Sequence, residues 1–203
     1  MDTKRAQWLL RIGVAGEFLG HGLLAIDNLD VKKALRDCDL LDTKYRNYCY
    51  DGVFMENAFD ANSTNFNPAD PWALCNNLEE QYHYNCARYQ SQFFLGVLHW
   101  DFARTGAGCV LAPSGILRTT CLESLGYHAA QNNQGNYDSI VKSCSVITGG
   151  NRDSCITGSA REVIFQAYQD WSMVSEKLCF LLSADAKSKC LESNARTKLI
   201  YKR

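Results

Sequence analysis

The chain has 203 residues, a formal net charge of -1 and 46% hydrophobic residues. This balance argues against a nucleic-acid binder, which normally carries a clear excess of basic residues. The hydrophobic fraction is ordinary for a folded protein and excludes a disordered chain, and the low number of prolines, three, favours helices.

The first predicted element is an N-terminal helix. Apolar residues recur at helical spacing from Trp8 to Ile26, which predicts a helix over this segment. The segment contains Glu17 and His21 and lacks a small-residue cleavage site, so we interpret it neither as a signal peptide nor as a membrane span. If the protein is exported, we expect its leader to be absent from this numbering.

The same segment matches the second half of a later repeat. When Gly16 is laid on Gly52, the position of Cys49 falls on Gly13. We therefore interpret residues 8–30 as an N-terminal half-repeat that has no disulfide. Terminal units of repeat proteins are often atypical because they cap the array.

The ten cysteines recur at regular spacing. They form five successive pairs, whose members lie eleven positions apart in four pairs and twelve positions apart in the remaining pair. The first cysteines of successive pairs lie 37, 34, 35 and 35 residues apart, and a period in the mid-thirties indicates a repeat of helical hairpins. The pairs are Cys38 and Cys49, Cys75 and Cys86, Cys109 and Cys121, Cys144 and Cys155, and Cys179 and Cys190.

Each cysteine pair marks one predicted hairpin. The first cysteine falls near the end of helix A and the second near the start of helix B, and a short turn between antiparallel helices brings both within disulfide reach. The sequence thus predicts an all-α solenoid, one repeat domain over 1–203, with five disulfide-linked hairpins after the unlinked N-terminal helix. The hairpins cover 31–60, 72–100, 101–133, 137–170 and 171–203.

Residues 61–71 interrupt this pattern. The stretch is rich in Asn and Asp and contains Pro68 and Pro71, so an irregular loop is predicted. Asn62 begins an Asn-Ser-Thr tripeptide that fits the N-glycosylation sequon, and this matters only in a eukaryotic protein.

Disulfides are favoured over the other uses of ten cysteines. Structural zinc sites bring ligands in as C-x2-4-C or H-x3-5-H, and neither spacing occurs here. Free buried thiols are the other alternative. Disulfides indicate an oxidising compartment, so we predict an extracellular or periplasmic protein.

Several residues are candidates for function. His21 lies between two glycines, which permit close approach of a ligand or of a second helix. Glu56 and Asn57 are interpreted mainly as a solvated helix face, because acid–base work needs carboxylates close together and the later ones lie in other repeats. A high density of tyrosine suits a recognition groove. The predicted binding residues are His21, Tyr50, Phe54, Glu56, Asn57 and Tyr89.

The four histidines occupy non-equivalent positions in their repeats. A repeat array superposes equivalent positions only, so we predict no shared metal site. We also predict no cofactor, and the common signatures of serine hydrolases, P-loop enzymes and zinc proteases do not occur in the sequence.

The period and the cysteine placement carry a family resemblance. A two-helix unit of this length with one disulfide resembles tetratricopeptide and Sel1-like repeats, especially the cysteine-rich Sel1-like proteins that bacteria secrete. The segment Lys33–Cys38, KALRDC, is compatible with such repeats, and the likeness covers Val31 to Tyr201. The resemblance implies an α-solenoid that binds peptides or proteins.

We therefore predict an exported, non-catalytic interaction module that binds a peptide, a protein or a cell-wall fragment. The first alternative is a subunit of an extracellular filament that assembles head to tail, because an early segment is acidic and the last helix is basic. The second alternative is a hydrolase-like enzyme that acts through His21 or a nearby carboxylate. Nucleic acid is not a predicted partner, and no membrane span is predicted.

Overall fold

The computed structural model describes residues 3–59, 67, 69–148 and 150–201, with side chains from Ala15 to Leu199 within these ranges. Every regular element in the described part of the chain is a helix, which confirms the all-α prediction. The helices fall into two compact units, Met1–Val97 and Leu98–Arg203. The glycosylation sequon at Asn62 lies outside the described residues.

The first unit alternates long and short helices. Long helix α1 packs on α3, and α3 packs on α5, while the short helices α2 and α4 pack against α3 and α5 respectively. A short 3₁₀ helix, Glu80–Tyr82, precedes α5. The helices are α1 (Thr3–Ile26), α2 (Val31–Asp39), α3 (Thr43–Phe59), α4 (Ala73–Asn76) and α5 (His83–Val97).

The second unit has the same alternation. Long helix α7 packs on α9, and α9 packs on α11, with α6, α8 and α10 as the short helices. Packing of successive hairpins is thus observed within each unit, and one continuous solenoid through all five hairpins stays a prediction. The helices are α6 (Phe102–Val110), α7 (Gly115–Asn132), α8 (Tyr137–Ser145), α9 (Asn151–Gln166), α10 (Trp171–Phe180) and α11 (Ala184–Tyr201).

Side-chain caps fix the starts of several helices. Asp30, Asp101, Ser114 and Asn136 each accept a hydrogen bond from the backbone N–H three residues later. Such N-caps satisfy a helical N–H group that has no partner within the helix. Because a cap marks the residue before the helix, these four positions set where α2, α6, α7 and α8 begin.

Two predicted boundaries were wrong. Helix α1 begins at Thr3 and not at Trp8, because the intervening Lys, Arg, Ala and Gln are all good helix formers. Helix α5 ends at Val97 and not at Trp100. His99 and Trp100 have φ of 54° and 61°, in the left-handed region that a right-handed helix cannot contain.

The five disulfides join the predicted cysteine pairs. Each one links a short helix to the next long helix, and the Cα atoms of a pair lie 5.5 to 5.8 Å apart. All ten sulfurs are bonded and the cysteines are buried. Disulfides persist in oxidising environments, so this chemistry fits an extracellular or otherwise oxidising compartment.

Glycines bring α1 and α3 into close contact. A Cβ atom on Gly20 would lie 2.1 Å from the carbonyl oxygen of Cys49, and one on Gly52 would lie 2.1 Å from that of Glu17. The same crossing recurs between α7 and α9, where a Cβ atom on Gly126 or Gly158 would lie 1.9 Å from a carbonyl oxygen of the facing helix. Only glycine permits backbones to approach this closely.

This recurrence corrects the alignment of the N-terminal helix. Gly20 takes the position of Gly126, so the residue of α1 that corresponds to Cys121 is Ala15 and not Gly13. The alignment was wrong because it matched Gly16 to Gly52, whereas Gly52 faces the preceding helix and Gly20 faces the following one. The interpretation of α1 as the second helix of a hairpin is unchanged.

Candidate functional site

Four of the six predicted binding residues lie in the interior. Tyr50, Phe54, Asn57 and Tyr89 are all buried, so their side chains pack between helices and do not form an open aromatic groove. The face that each helix exposes depends on its neighbours. Both sides of α3 are covered, by α1 and by α5, and this hides residues that an isolated hairpin would expose.

Tyr50 has a packing role. Its hydroxyl donates a hydrogen bond to Asp39 in α2, and the Tyr82 hydroxyl donates to the other carboxylate oxygen of Asp39. The two rings meet edge to face with centroids 5.1 Å apart. Burial and the hydrogen bond to Asp39 raise the pKa of Tyr82 to about 12 and also raise the pKa of Tyr50, so both hydroxyls stay protonated. The group ties the first hairpin to the second.

The remaining two predicted residues, His21 and Glu56, contact each other. The Nδ1 atom of His21 lies 2.7 Å from a carboxylate oxygen of Glu56, across the contact between α1 and α3. Their side chains are 28% and 40% exposed, so a partner in solution can reach both. Glu56 was interpreted mainly as part of a solvated helix face, and its side chain is indeed partly exposed, while its contact with His21 was not predicted.

A second charged contact shares helix α3 with the first and joins it to α5. Asp51 in α3 forms a 2.7 Å ion pair with Arg88 in α5 and accepts a 2.9 Å hydrogen bond from the Asn85 side chain. The Asp51 carboxylate is nine-tenths buried, whereas Arg88 is 42% exposed. Burial raises the pKa of Asp51, and Arg88 and Asn85 partly offset this rise.

Glu17 in α1 connects the two contacts electrostatically. Burial raises the pKa of its carboxyl, the charge of Asp51 raises it further, and Arg88 and His21 act in the opposite direction. We name Glu17, His21, Asp51, Glu56 and Arg88 the charged cluster. It holds three carboxylates against one guanidinium and one imidazole, so its charge is negative whether or not His21 is protonated.

The sequence carries a signal for this cluster in the spacing of its charged residues. Glu17 and Asp51 are 34 residues apart, His21 and Glu56 are 35 apart, and Asp51 and Arg88 are 37 apart. These intervals match the repeat period. Placement in separate repeats was taken to keep the charges apart, but packing of adjacent long helices brings residues one period apart into contact.

The other histidines lie elsewhere. The Nε2 atom of His83 lies 3.1 Å from the carbonyl oxygen of Leu78, and His128 belongs to the second unit, where it packs edge to face against the Tyr127 and Trp100 rings. Within the described residues, no group of three or more His, Cys, Asp or Glu side chains is arranged to hold a metal ion.

His128 makes the second unit sensitive to acid. Burial lowers the pKa of His128 to about 4, and a hydrogen bond with Gln131 partly offsets this. Between this value and the ordinary pKa of 6.5, His128 is protonated in the unfolded chain and neutral in the folded chain. The contribution of neutral His128 to the free energy of unfolding is therefore fully present above pH 6.5 and is lost as the pH falls towards 4. The loss between pH 7 and pH 4.5 is about 2.5 kcal/mol.

The variant His128→Gln tests this prediction. The free energy of unfolding of each protein is measured with urea at pH 7 and at pH 4.5. The decrease between the two pH values is expected to be about 2.5 kcal/mol smaller in the variant than in the unsubstituted protein. The carboxyl groups titrate equally in both proteins and cancel in the comparison. Equal losses in the two proteins would show that His128 is not the group responsible.

The described surface also contains a shallow depression. It lies between α2 and the segment 77–82, has a volume of about 150 Å³, and is lined in part by Lys32, Arg36 and Glu79. Sites for drug-sized ligands usually enclose about 300 Å³ or more. The charged cluster is therefore the better candidate for a functional surface.

Comparisons with known proteins give no match: no family model matches the chain, and neither a curated protein nor a solved structure is significantly similar to it. The resemblance to Sel1-like repeats stays a prediction. A search of the described helices for one both long and apolar enough to cross a bilayer found none.

Proposed function

We propose that the protein is an exported, non-catalytic interaction module that binds a peptide or protein through the charged cluster of its first unit. One observation carries the proposal: among the described residues, the carboxylates of Glu17, Asp51 and Glu56 come from two packed helices and lie beside two basic side chains, His21 and Arg88. Glu56, His21 and Arg88 are partly exposed, whereas the Asp51 carboxylate is buried beneath Arg88. An unbalanced charge of this kind attracts a partner of opposite sign and orients it during association. The five disulfides support export.

The proposal favours a peptide or protein over a cell-wall fragment. The cluster lies on adjacent long helices, and three of its charged side chains, His21, Glu56 and Arg88, are partly exposed along them. Surfaces of this kind suit a partner that makes several separated contacts. A basic segment of a protein supplies both the complementary charge and the length.

Head-to-tail assembly is not proposed, because the surfaces that α1 and α11 expose are not complementary to each other. Phe18, Leu19 and Ile26 of α1 are exposed and apolar. Helix α11 instead exposes two ion pairs, Lys189 with Asp185 and Arg196 with Glu192. Burying those charges against an apolar surface is unfavourable.

Peptide selection with two charge-matched variants tests the proposed function. A displayed library of random peptides is selected on the oxidised protein, and each selected peptide is then measured against Glu56→Gln and Glu192→Gln. Both substitutions remove one carboxylate, but Glu192 is an exposed residue of the second unit. We expect Glu56→Gln to weaken binding about fivefold, which corresponds to about 1 kcal/mol, and Glu192→Gln to leave it unchanged.

Two results would count against the proposed function. One is a selection that yields no peptide with saturable binding to the oxidised protein. The other is a set of peptides that lose affinity equally with both variants, because such peptides would respond to the net charge of the protein and not to the cluster. Circular dichroism of each variant before the binding measurement excludes unfolding as the cause of any loss.

A further inference from the structure

The two units contain one arrangement twice. The crossing residues Glu17, Gly20 and Gly52 each have a counterpart 106 residues later: Glu123, Gly126 and Gly158. The same interval separates the capping residues Asp30 and Asn136 and the first cysteines Cys38 and Cys144. The set α1, α2 and α3 is therefore equivalent to α7, α8 and α9, and differences at matched positions are informative.

The two copies differ in how they neutralise one carboxylate. In the second unit, Glu123 forms an ion pair with Arg161 in α9, and the two side chains are 27% and 38% exposed. Glu17 takes the place of Glu123 in the first unit. The residue in the place of Arg161 is Met55, which carries no charge. At this pair of positions the first unit thus keeps the carboxylate and has methionine in place of the arginine.

The neighbours of Glu17 are already engaged. His21 contacts Glu56, and Arg88 is paired with Asp51. Among the side chains that the structure describes, none donates a hydrogen bond to Glu17 and none forms an ion pair with it. Glu17 and Met55 are both half-buried, so the carboxylate loses part of its hydration while its surroundings remain open to a partner.

We propose that Glu17 binds an arginine side chain of the partner, whose guanidinium takes the place that Arg161 holds in the second unit. This inference rests on the proposed function and names the chemistry that the charged cluster recognises. The second unit shows that this helix crossing accommodates a guanidinium beside the carboxylate. Guanidinium is also the cation whose planar donors match a carboxylate best.

The test uses the peptides selected on the oxidised protein. In each peptide every arginine is replaced in turn by citrulline, which keeps the shape of the side chain and removes its charge. We expect one replacement to weaken binding about tenfold or more, because a charge-assisted hydrogen bond is lost. The variant Glu17→Gln is expected to bind the original peptide more weakly by a similar factor. Its affinity for the citrulline peptide is expected to equal that of the unsubstituted protein.

A second variant fills the site from within the chain. Met55→Arg recreates the pair of Glu123 with Arg161, so it is expected to abolish arginine-dependent binding, while the size-matched control Met55→Leu retains it. If Met55→Arg does not fold, the measurements with Glu17→Gln and with the citrulline peptides still test the inference. The inference is overturned if peptides that depend on Glu56 bind Glu17→Gln as tightly as the original protein, and the proposed function survives that result. If no peptide depends on Glu56, the proposed function itself fails.

Discussion

Reduction of the five disulfides is expected to unfold most of the protein at room temperature. Each bond closes a loop of about a dozen residues, which restricts the unfolded chain by about 3 kcal/mol on the chain-entropy model. Allowing for smaller real values, five such bonds contribute on the order of 10 kcal/mol, which is the whole net stability of a typical domain. A helical hairpin of this size buries too little apolar surface to fold alone.

Thermal unfolding before and after reduction measures this effect. Because the cysteines are buried, the bonds are opened by a phosphine reductant in denaturant, and the denaturant is then removed with the reductant still present. Mass spectrometry after alkylation must show ten modified thiols. The expected result is a Tm lowered by tens of degrees or a loss of the cooperative transition. A reduced protein that melts at the same temperature would show that packing alone sustains the fold.

Cysteine spacing predicted the hairpins because it encodes a distance restraint. A disulfide needs its two Cα atoms within about 7 Å, and a separation of eleven or twelve positions leaves room only for the end of one helix, a turn and the start of the next. The restraint does not specify the end of a helix that lies far from the disulfide. The end of α5 at Val97 follows from the left-handed backbone of His99 and Trp100, which no spacing pattern specifies.

The candidate site was only half predictable for a different reason. His21 and Glu56 were identified singly, but their contact depends on which long helix packs beside which. Tyr50 and Phe54 were assigned to a binding surface because aromatic residues are dense in this segment, whereas α3 is covered on both sides and buries them. Only the repeat interval, applied to charged residues as it was to cysteines, would have placed Glu17, Asp51 and Arg88 together.

The two glycine crossings also show why register is hard to read from sequence. Gly16, Gly20 and Gly22 all lie in α1, and nothing in their spacing says which one meets α3 most closely. The structure separates them by the space around each: a Cβ atom on Gly20 would overlap backbone atoms of α3, whereas one on Gly22 would meet no atom within 4 Å. The register of α1 follows from that difference.

The same substitution at these two glycines is expected to have opposite effects. In Gly20→Ala the new methyl group would lie 2.1 Å from the Cys49 carbonyl oxygen and 2.7 Å from the Val53 nitrogen. Backbone atoms cannot rotate away as a side chain can, so α1 and α3 must separate, at a cost of about 3 kcal/mol. In Gly22→Ala the methyl group meets open space, and alanine in a helix is more stable than glycine by up to about 1 kcal/mol.

Urea unfolding of the oxidised variants distinguishes this packing effect from helix propensity. If only propensity mattered, both substitutions would stabilise the protein, because both replace glycine by the best helix former. A direct contact predicts a gap of about 3 to 4 kcal/mol between them, with the unsubstituted protein in between. The equivalent change in the second unit, Gly126→Ala, faces the Cys155 carbonyl oxygen at 1.9 Å and is expected to behave like Gly20→Ala. Tolerance of alanine at both Gly20 and Gly126 would mean that the two crossings are looser than described, and the equivalence that places Met55 opposite Glu17 would lose its geometric basis.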